Sequence, residues 1–332
     1  LPGAAVRCGL CPFRCEVLPG RRGACEVREN VDGTYFTLVW GNPCAVHIDP
    51  VEKKPLFHFH AGERILSLAT AGCNIECRFC QNWNISQVKP EDTPNRRLPP
   101  DAVAAAAKAG NVRLIAFTYS EPVVFSEYVY DAALLAGEAG LKTVVVSNGF
   151  IEREPLDDLL DVLAAVKIDL KAFDDAFYRE VCSARLAPVL ATLERLAEKR
   201  VWFEIVYLVI PTLNDDMRKI REMSRWIVKN LGADAPLHFT AFHPAYKLRN
   251  LPRTAPSVLQ NARDTARSEG LRFVYTGNVP GSQGESTFCP GCGRIIVERY
   301  GYFVMKKHLV DVQHEKKEAK CEYCGAAVPG VW

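Results

Sequence analysis

The sequence predicts an α/β fold: a partial (β/α)6-type TIM barrel, preceded by a small Cys-rich module and followed by a zinc-ribbon-like lobe. Three observations predict it. From Arg64 to Gly277, short β-branched or apolar runs alternate with longer helical stretches, the pattern of βαβ units on a parallel sheet. Two groups of four cysteines flank that region, Cys8, Cys11, Cys15 and Cys25 before it and Cys289, Cys292, Cys321 and Cys324 after it. The segments following successive strand candidates carry polar and charged residues, and a barrel gathers its chemistry at the C-terminal ends of its strands. The expected units are 1–62, 63–282 and 283–332.

The entry module holds the first cysteine group, a hairpin expected around Tyr35–Trp40, and the Pro-punctuated run Asp49–Gly62. Strands are expected at Arg64–Thr70, Val112–Thr118, Lys142–Ser147, Ala165–Asp169, Val201–Ile210, Leu237–Phe242 and Leu271–Tyr275. Helices are expected at Pro100–Ala109, Val124–Ala139, Pro188–Lys199, Asp216–Leu231 and Pro256–Glu269, several opened by Pro or a small polar residue and closed near Gly. Asp216–Leu231 spaces its apolar residues about one turn apart. The run His308–Lys320 reads as a solvated connector.

The formal net charge of +2 gives no electrostatic case for nucleic acid or an anionic membrane. No apolar run reaches the roughly 20 residues of a membrane helix. The N-terminal LPGAAVRCGL has no charged region leading into an apolar stretch, so no signal peptide is expected and a cytoplasmic location is. Thirteen cysteines, mostly at CxxC-type spacing, favour metal or cluster ligation over disulfides in such a chain.

The most informative segment is Thr70–Trp83, where a strand runs into Cys73, Cys77 and Cys80 in CxxxCxxC spacing. Three thiolates within eight residues can each reach a different iron of one cluster. Three ligands for a four-iron cluster leave one iron open, as a catalytic centre requires and a structural one avoids. Gly72 permits a tight turn before the first cysteine, and Phe79 precedes the last. A fragment of a zinc site completed by a distant ligand is the alternative. Lys167, Asp169 and Lys171 alternate along one strand and so share one face, unusual inside a barrel unless the charges meet a ligand or pair with each other.

On these residues the chain resembles the radical S-adenosylmethionine (SAM) superfamily. It is similar to the pyruvate formate-lyase-activating-enzyme-like group, and within it to the AmmeMemoRadiSam-system enzymes, named for their association with Memo-like proteins. The stretches that carry the resemblance are RCGLCPFRC, GRRGACEVREN, DPVEKKPLFHF, TAGCNIECRFCQNW, TYSEP, KIDLKAFDDAFYREVC, VIPTLND, GNVPG, CPGCG and CEYCG. The resemblance implies a [4Fe–4S] cluster on Cys73, Cys77 and Cys80, with Phe79 shielding its edge. SAM is implied in contact with Thr118, Tyr119, Ser120 and Glu121, where Tyr119 and Ser120 replace the glycines of the family's GGEP-like motif. Ser147 and Asn148 match a DTNG-like segment in which Val146 replaces Asp, and Asp169 and Lys171 match a DLK motif. Ile210 falls in a segment near adenine, and His243 falls where activating enzymes place a His near SAM. Read without the resemblance, TYSEP is a helix N-terminus, Ser147–Gly149 a turn, and His243 a structural loop histidine.

The paired CxxCG knuckles at Cys289/Cys292 and Cys321/Cys324 read as a structural zinc site. Cys8, Cys11, Cys15 and Cys25 supply a complete ligand set for zinc or for an auxiliary [4Fe–4S] cluster. Cys44 and Cys182 read as ordinary small residues, and His58 and His60 as packed core histidines. The expected function is reductive cleavage of SAM to methionine and a 5′-deoxyadenosyl radical that abstracts hydrogen from a substrate. A protein residue and a small molecule both stay open as that substrate. A ferredoxin or flavodoxin is the expected electron donor, and a Memo-like protein a candidate partner. A non-catalytic metal-binding or electron-transfer scaffold is the reading from another class.

Overall fold

The computed structural model describes residues 3–311 and 318–332. Its centre is one eight-stranded sheet whose strands lie in chain order: β1 Ala45–Pro50, β2 Arg64–Ala69, β3 Leu114–Phe117, β4 Lys142–Ser147, β5 Ala165–Asp169, β6 Trp202–Val209, β7 Leu237–Ala241 and β8 Val274–Gly277. From β2 onward every pairing is parallel. Strand β1 runs antiparallel to β2, with Ala45 opposite Ala69. Strictly sequential order, without the reversal of a doubly wound sheet, makes the sheet a curved, open barrel.

The seven parallel strands coincide with the expected ones to within a few residues. Strand β1 was not expected. It comes from the segment assigned to the entry module and guards the open edge of the sheet.

Seven helices cover the outer face: α1 Pro100–Ala109, α2 Ser126–Glu138, α3 Arg153–Leu160, α4 Asp175–Cys182, α5 Leu186–Lys199, α6 Met217–Asn230 and α7 Pro256–Ser268. Pro opens α1 and α7, where its missing N–H has no partner to lose. Asp174 caps α4 through the N–H groups of Ala176 and Phe177, and Asp216 caps α6 through that of Arg218. No helix among the described residues is long and apolar enough to cross a membrane.

Alternation along the strands builds two cores. Ile115, Val145 and Ile168 point outward and pack with Val103, Leu193 and Leu259 of the helices. Ile65, Leu114, Ala116, Val144 and Ala165 point inward and meet Val51, Leu56 and Phe59 as an apolar floor. Above that floor the inward positions turn polar. Glu204 is fully buried and accepts hydrogen bonds from the N–H groups of Phe57 and His58 and from His238 Nε2 at 2.7 Å.

The C-terminal lobe docks on this end of the barrel. Backbone bonds join Val331 to His58 and His60, and Arg299 bonds the Phe57 carbonyl at 2.7 Å. His58 is wholly buried, with Nδ1 2.6 Å from the Pro329 carbonyl and Nε2 2.5 Å from the Tyr275 hydroxyl. The lobe contains two three-stranded antiparallel sheets. The connector expected over 308–320 is corrected: Leu309–Asp311 pairs with Glu318–Cys321, and 312–317 fall outside the described residues. Ladder partners within the lobe override the low strand propensity of this charged segment. At the N-terminus, Arg28–Val31 and Thr34–Thr37 form a hairpin turning at Asp32 and Gly33, both at positive φ.

Candidate active site

A cavity of about 470 Å³ opens at the C-terminal ends of the strands. The loop after β2 brings Cys73, Cys77, Phe79 and Cys80 to it. The loops after β3, β4 and β5 bring Thr118 to Glu121, Ser147 and Asn148, and Asp169 and Lys171. Ile210 and His243 do not line it. Ile210 is fully buried, and His243 lies exposed two residues beyond the end of β7.

The cysteine loop is fixed on both sides. Gly72 turns it at φ +96°, and the N–H groups of Glu76 and Arg78 bond the carbonyls of Cys182 and Val181 at the end of α4. Asn148 Nδ2 lies 3.8 Å from Cys73 Sγ, and Cys80 Sγ is 3.2 Å from the Ser86 hydroxyl. Cys182, fully buried beside Cys77, is the largest influence lowering the Cys77 thiol; Lys171 acts in the same direction. Burial pushes the Cys73 thiol well up.

Glu121 holds two of these loops together. Its carboxylate accepts from Ser147 Oγ at 2.7 Å, from the Asn148 N–H at 2.8 Å and from its own Val123 N–H at 3.1 Å. Burial pushes its carboxyl up to about 7. Next to it the Ser120 hydroxyl is buried, faces the cavity and has no partner. Tyr119 sits at φ +66°, a conformation natural to glycine and costly for a bulky residue. Its hydroxyl hydrogen-bonds Asp49, and the Lys54 ammonium lies 4.3 Å from its ring centre.

That contact reveals residues to which the sequence reading gave no role. Asp49 at the end of β1 pairs with Lys53 at 2.9 Å and Lys54 at 2.6 Å, and both lysines line the cavity. Burial lowers the Lys54 ammonium to about 8 against the pull of Asp49. On the opposite wall Asp169 pairs with Lys167 and with Lys171 at 3.5 Å. Burial disfavours the Lys171 charge, but Cys77 and Asp169 outweigh it and hold the ammonium firmly protonated. The cavity thus presents three thiols together with lysines ion-paired to Asp49 and to Asp169. Such a site suits a zwitterion beside a soft-metal centre.

Elsewhere the four C-terminal cysteines converge, with Cys289 and Cys324 sulfurs 3.5 Å apart, Cys292 and Cys321 3.9 Å apart, and all ligand atoms within 4.8 Å. This group can bind one metal ion. The four N-terminal cysteines line a single small apolar cavity but do not converge in that way.

Comparison with known proteins gives the following. A family model described as Radical SAM superfamily matches residues 67–223. The chain is 41% identical over 323 residues to the uncharacterized protein MJ0808 of Methanocaldococcus jannaschii, covering 97% of this chain and 95% of that one. It is 28% identical over 153 residues to the pyruvate formate-lyase 1-activating enzyme of Escherichia coli, covering 44% of this chain and 61% of the enzyme. Among solved structures, Streptococcus suis SuiB bound to S-adenosylmethionine aligns with a TM-score of 0.51 at 13% identity, over 72% of this chain and 56% of that chain, a likeness of fold.

Proposed function

The chain belongs to the radical SAM superfamily, as an enzyme related to the pyruvate formate-lyase-activating enzymes, and on that premise we propose that Cys73, Cys77 and Cys80 hold a [4Fe–4S] cluster beside SAM in the strand-end cavity. One observation carries the reading. The three thiols, the unpartnered Ser120 hydroxyl and two opposed charge groups line the same 470 Å³ space. That volume is within the roughly 300–1,000 Å³ of small-molecule sites. Three thiols on one loop fit a cluster in which each binds its own iron.

When bound, the cluster supplies the electron that cleaves SAM to methionine and a 5′-deoxyadenosyl radical, which abstracts hydrogen from substrate. The chain's own contribution is placement. Lys171 and Lys167, tied to Asp169, offer positive charge to the carboxylate of SAM, and Ser120 offers its free hydroxyl. Glu121 positions the Asn148 loop and sets a buried carboxylate near the ammonium. Phe79 lies under Lys171, 5.7 Å from the ammonium to the ring centre, and covers the cluster edge.

The likeness to activating enzymes supports a protein residue as hydrogen donor over a small molecule, and a ferredoxin or flavodoxin as reductant. The motif likeness to AmmeMemoRadiSam-system enzymes supports a Memo-like protein as partner, in a cytoplasmic setting. Zinc is our assignment for Cys289, Cys292, Cys321 and Cys324, since four thiols at this spacing close a tetrahedral site. The test is spectroscopic. SAM added to the reduced, reconstituted protein should shift the EPR spectrum of the cluster, and a spectrum indifferent to SAM would oppose the reading.

A further inference from the structure

We propose that Cys8, Cys11, Cys15 and Cys25 hold a second iron–sulfur cluster, set directly behind the active-site cysteines so that it passes them electrons. The recipient in this proposal rests on the function proposed above; the identity of the metal does not.

The C-terminal knuckles serve as an internal standard. Two thiolates on one tetrahedral zinc at 2.3 Å stand about 3.8 Å apart. Cys289 to Cys324 at 3.5 Å and Cys292 to Cys321 at 3.9 Å meet that expectation. The N-terminal four are not gathered in that way. They stand instead around one apolar cavity walled by Leu10, Phe13, Val123 and Val124. A cuboidal cluster binds each thiolate at a separate iron and so holds the sulfurs farther apart than one ion does. The group surrounds an apolar space rather than a single point, with Cys11 buried and Cys8, Cys15 and Cys25 half-buried.

The cavity also calls for negative charge. Arg28 lines it and is 4% exposed. Its terminal nitrogens bond Glu127, but its Nε is buried without a partner. Four thiolates around an iron–sulfur core carry net negative charge, which this guanidinium meets.

The placement relative to the active site gives the site its role. A Cβ on Gly72, the residue before Cys73, would lie 3.0 Å from the Cys25 carbonyl oxygen, so the two cysteine segments touch. Cys25 and Cys73 line one common groove. Asn74 lines the N-terminal cavity and accepts a 2.8 Å hydrogen bond from Asn148, whose same amide nitrogen lies 3.8 Å from Cys73 Sγ. The electron balance is simple. A one-electron carrier protein is oxidised, the N-terminal cluster goes from the 2+ to the 1+ core, and it returns to 2+ as the active-site cluster is reduced.

The test counts metals in the full chain, reconstituted anaerobically with iron and sulfide. Wild type should hold about eight irons and one zinc. The triple variant Cys73→Ala, Cys77→Ala, Cys80→Ala should keep about four irons and the EPR signal of a reduced [4Fe–4S] cluster. About four irons and two zincs in wild type, with the iron lost in the triple variant, would overturn the second cluster and leave the proposed function standing. About four irons that survive the triple variant would do the reverse, sinking the active-site assignment while supporting this one. If the variant does not fold, the wild-type count still decides. For the relay, fully reduced wild type should show magnetic coupling absent from the triple variant and from a Cys11→Ser, Cys15→Ser variant. A wild-type spectrum equal to the sum of theirs would refute it.

Discussion

Replacing Gly72 by Ala tests how the cysteine loop is seated. Gly72 lies at φ +96°, where an L residue is strained. That conformation costs roughly 1–2 kcal/mol once a Cβ is present. The new methyl would also lie 2.5 Å from Val27 Cγ1 and 3.0 Å from the Cys25 carbonyl oxygen. Val27 is fully buried and cannot swing into solvent, so overpacking adds about 1–3 kcal/mol. The expected total is about 2–5 kcal/mol, read as a fall in the urea midpoint by tryptophan fluorescence. Val27→Ala in the same chain removes the side-chain overlap but neither the φ strain nor the carbonyl contact. The double variant should therefore be more stable than the sum of the singles by about 1–2 kcal/mol. A Gly72→Ala protein within about 0.5 kcal/mol of wild type, or strictly additive variants, would refute this seating.

Further outcomes follow from the same geometry. Glu121→Gln leaves one acceptor oxygen where two now serve Asn148 N–H, Val123 N–H and Ser147 Oγ, so either amide orientation sets an NH2 against a backbone N–H; it should destabilise the protein by about 1–3 kcal/mol and weaken SAM binding about tenfold by calorimetry; unchanged affinity would exclude Glu121 as a positioning residue. Burial lowers His58 to about 4, below its ordinary 6.5. The unfolded chain therefore binds this proton first, and stability should fall by about 3 kcal/mol as pH drops from about 6.5 to about 4. A His58→Phe variant should lack that part of the slope, and equal slopes would contradict the assignment. Cys321→Ser should release one zinc and lower the thermal midpoint, checked by elemental analysis and calorimetry; iron at that site would contradict the zinc reading.

The parallel strands were legible because each is a short β-branched or apolar run between turn residues, as in Lys142–Ser147 and Ala165–Asp169. Strand β1 was not, because AVHIDP mixes charge with apolar residues and ends in Pro, as an edge strand tolerates. Helices α3 and α4 span eight residues each and show too few turns for a clear periodicity. At the site, CxxxCxxC and the strand-end motifs led to residues that do line one cavity. Asp49, Lys53 and Lys54 escaped because their role arises only when the antiparallel edge strand brings them over Tyr119. Two neighbouring lysines after an Asp, inside a Pro-punctuated run, were the available signal. Cys182 escaped for a similar reason: one residue beside Cys77 in space is 105 positions away in sequence. His243 was expected by motif position, but it lies exposed beyond the end of β7 at Ala241 and does not line the cavity.

The central claim is that this chain cleaves SAM through Cys73, Cys77 and Cys80. The most direct measurement is anaerobic product analysis after adding SAM and dithionite to the reconstituted protein, with 5′-deoxyadenosine and methionine quantified together. The account predicts that both form in equal amounts with wild type and that neither forms with Cys77→Ala at unchanged folding. Deoxyadenosine produced at the wild-type rate by Cys77→Ala would contradict it.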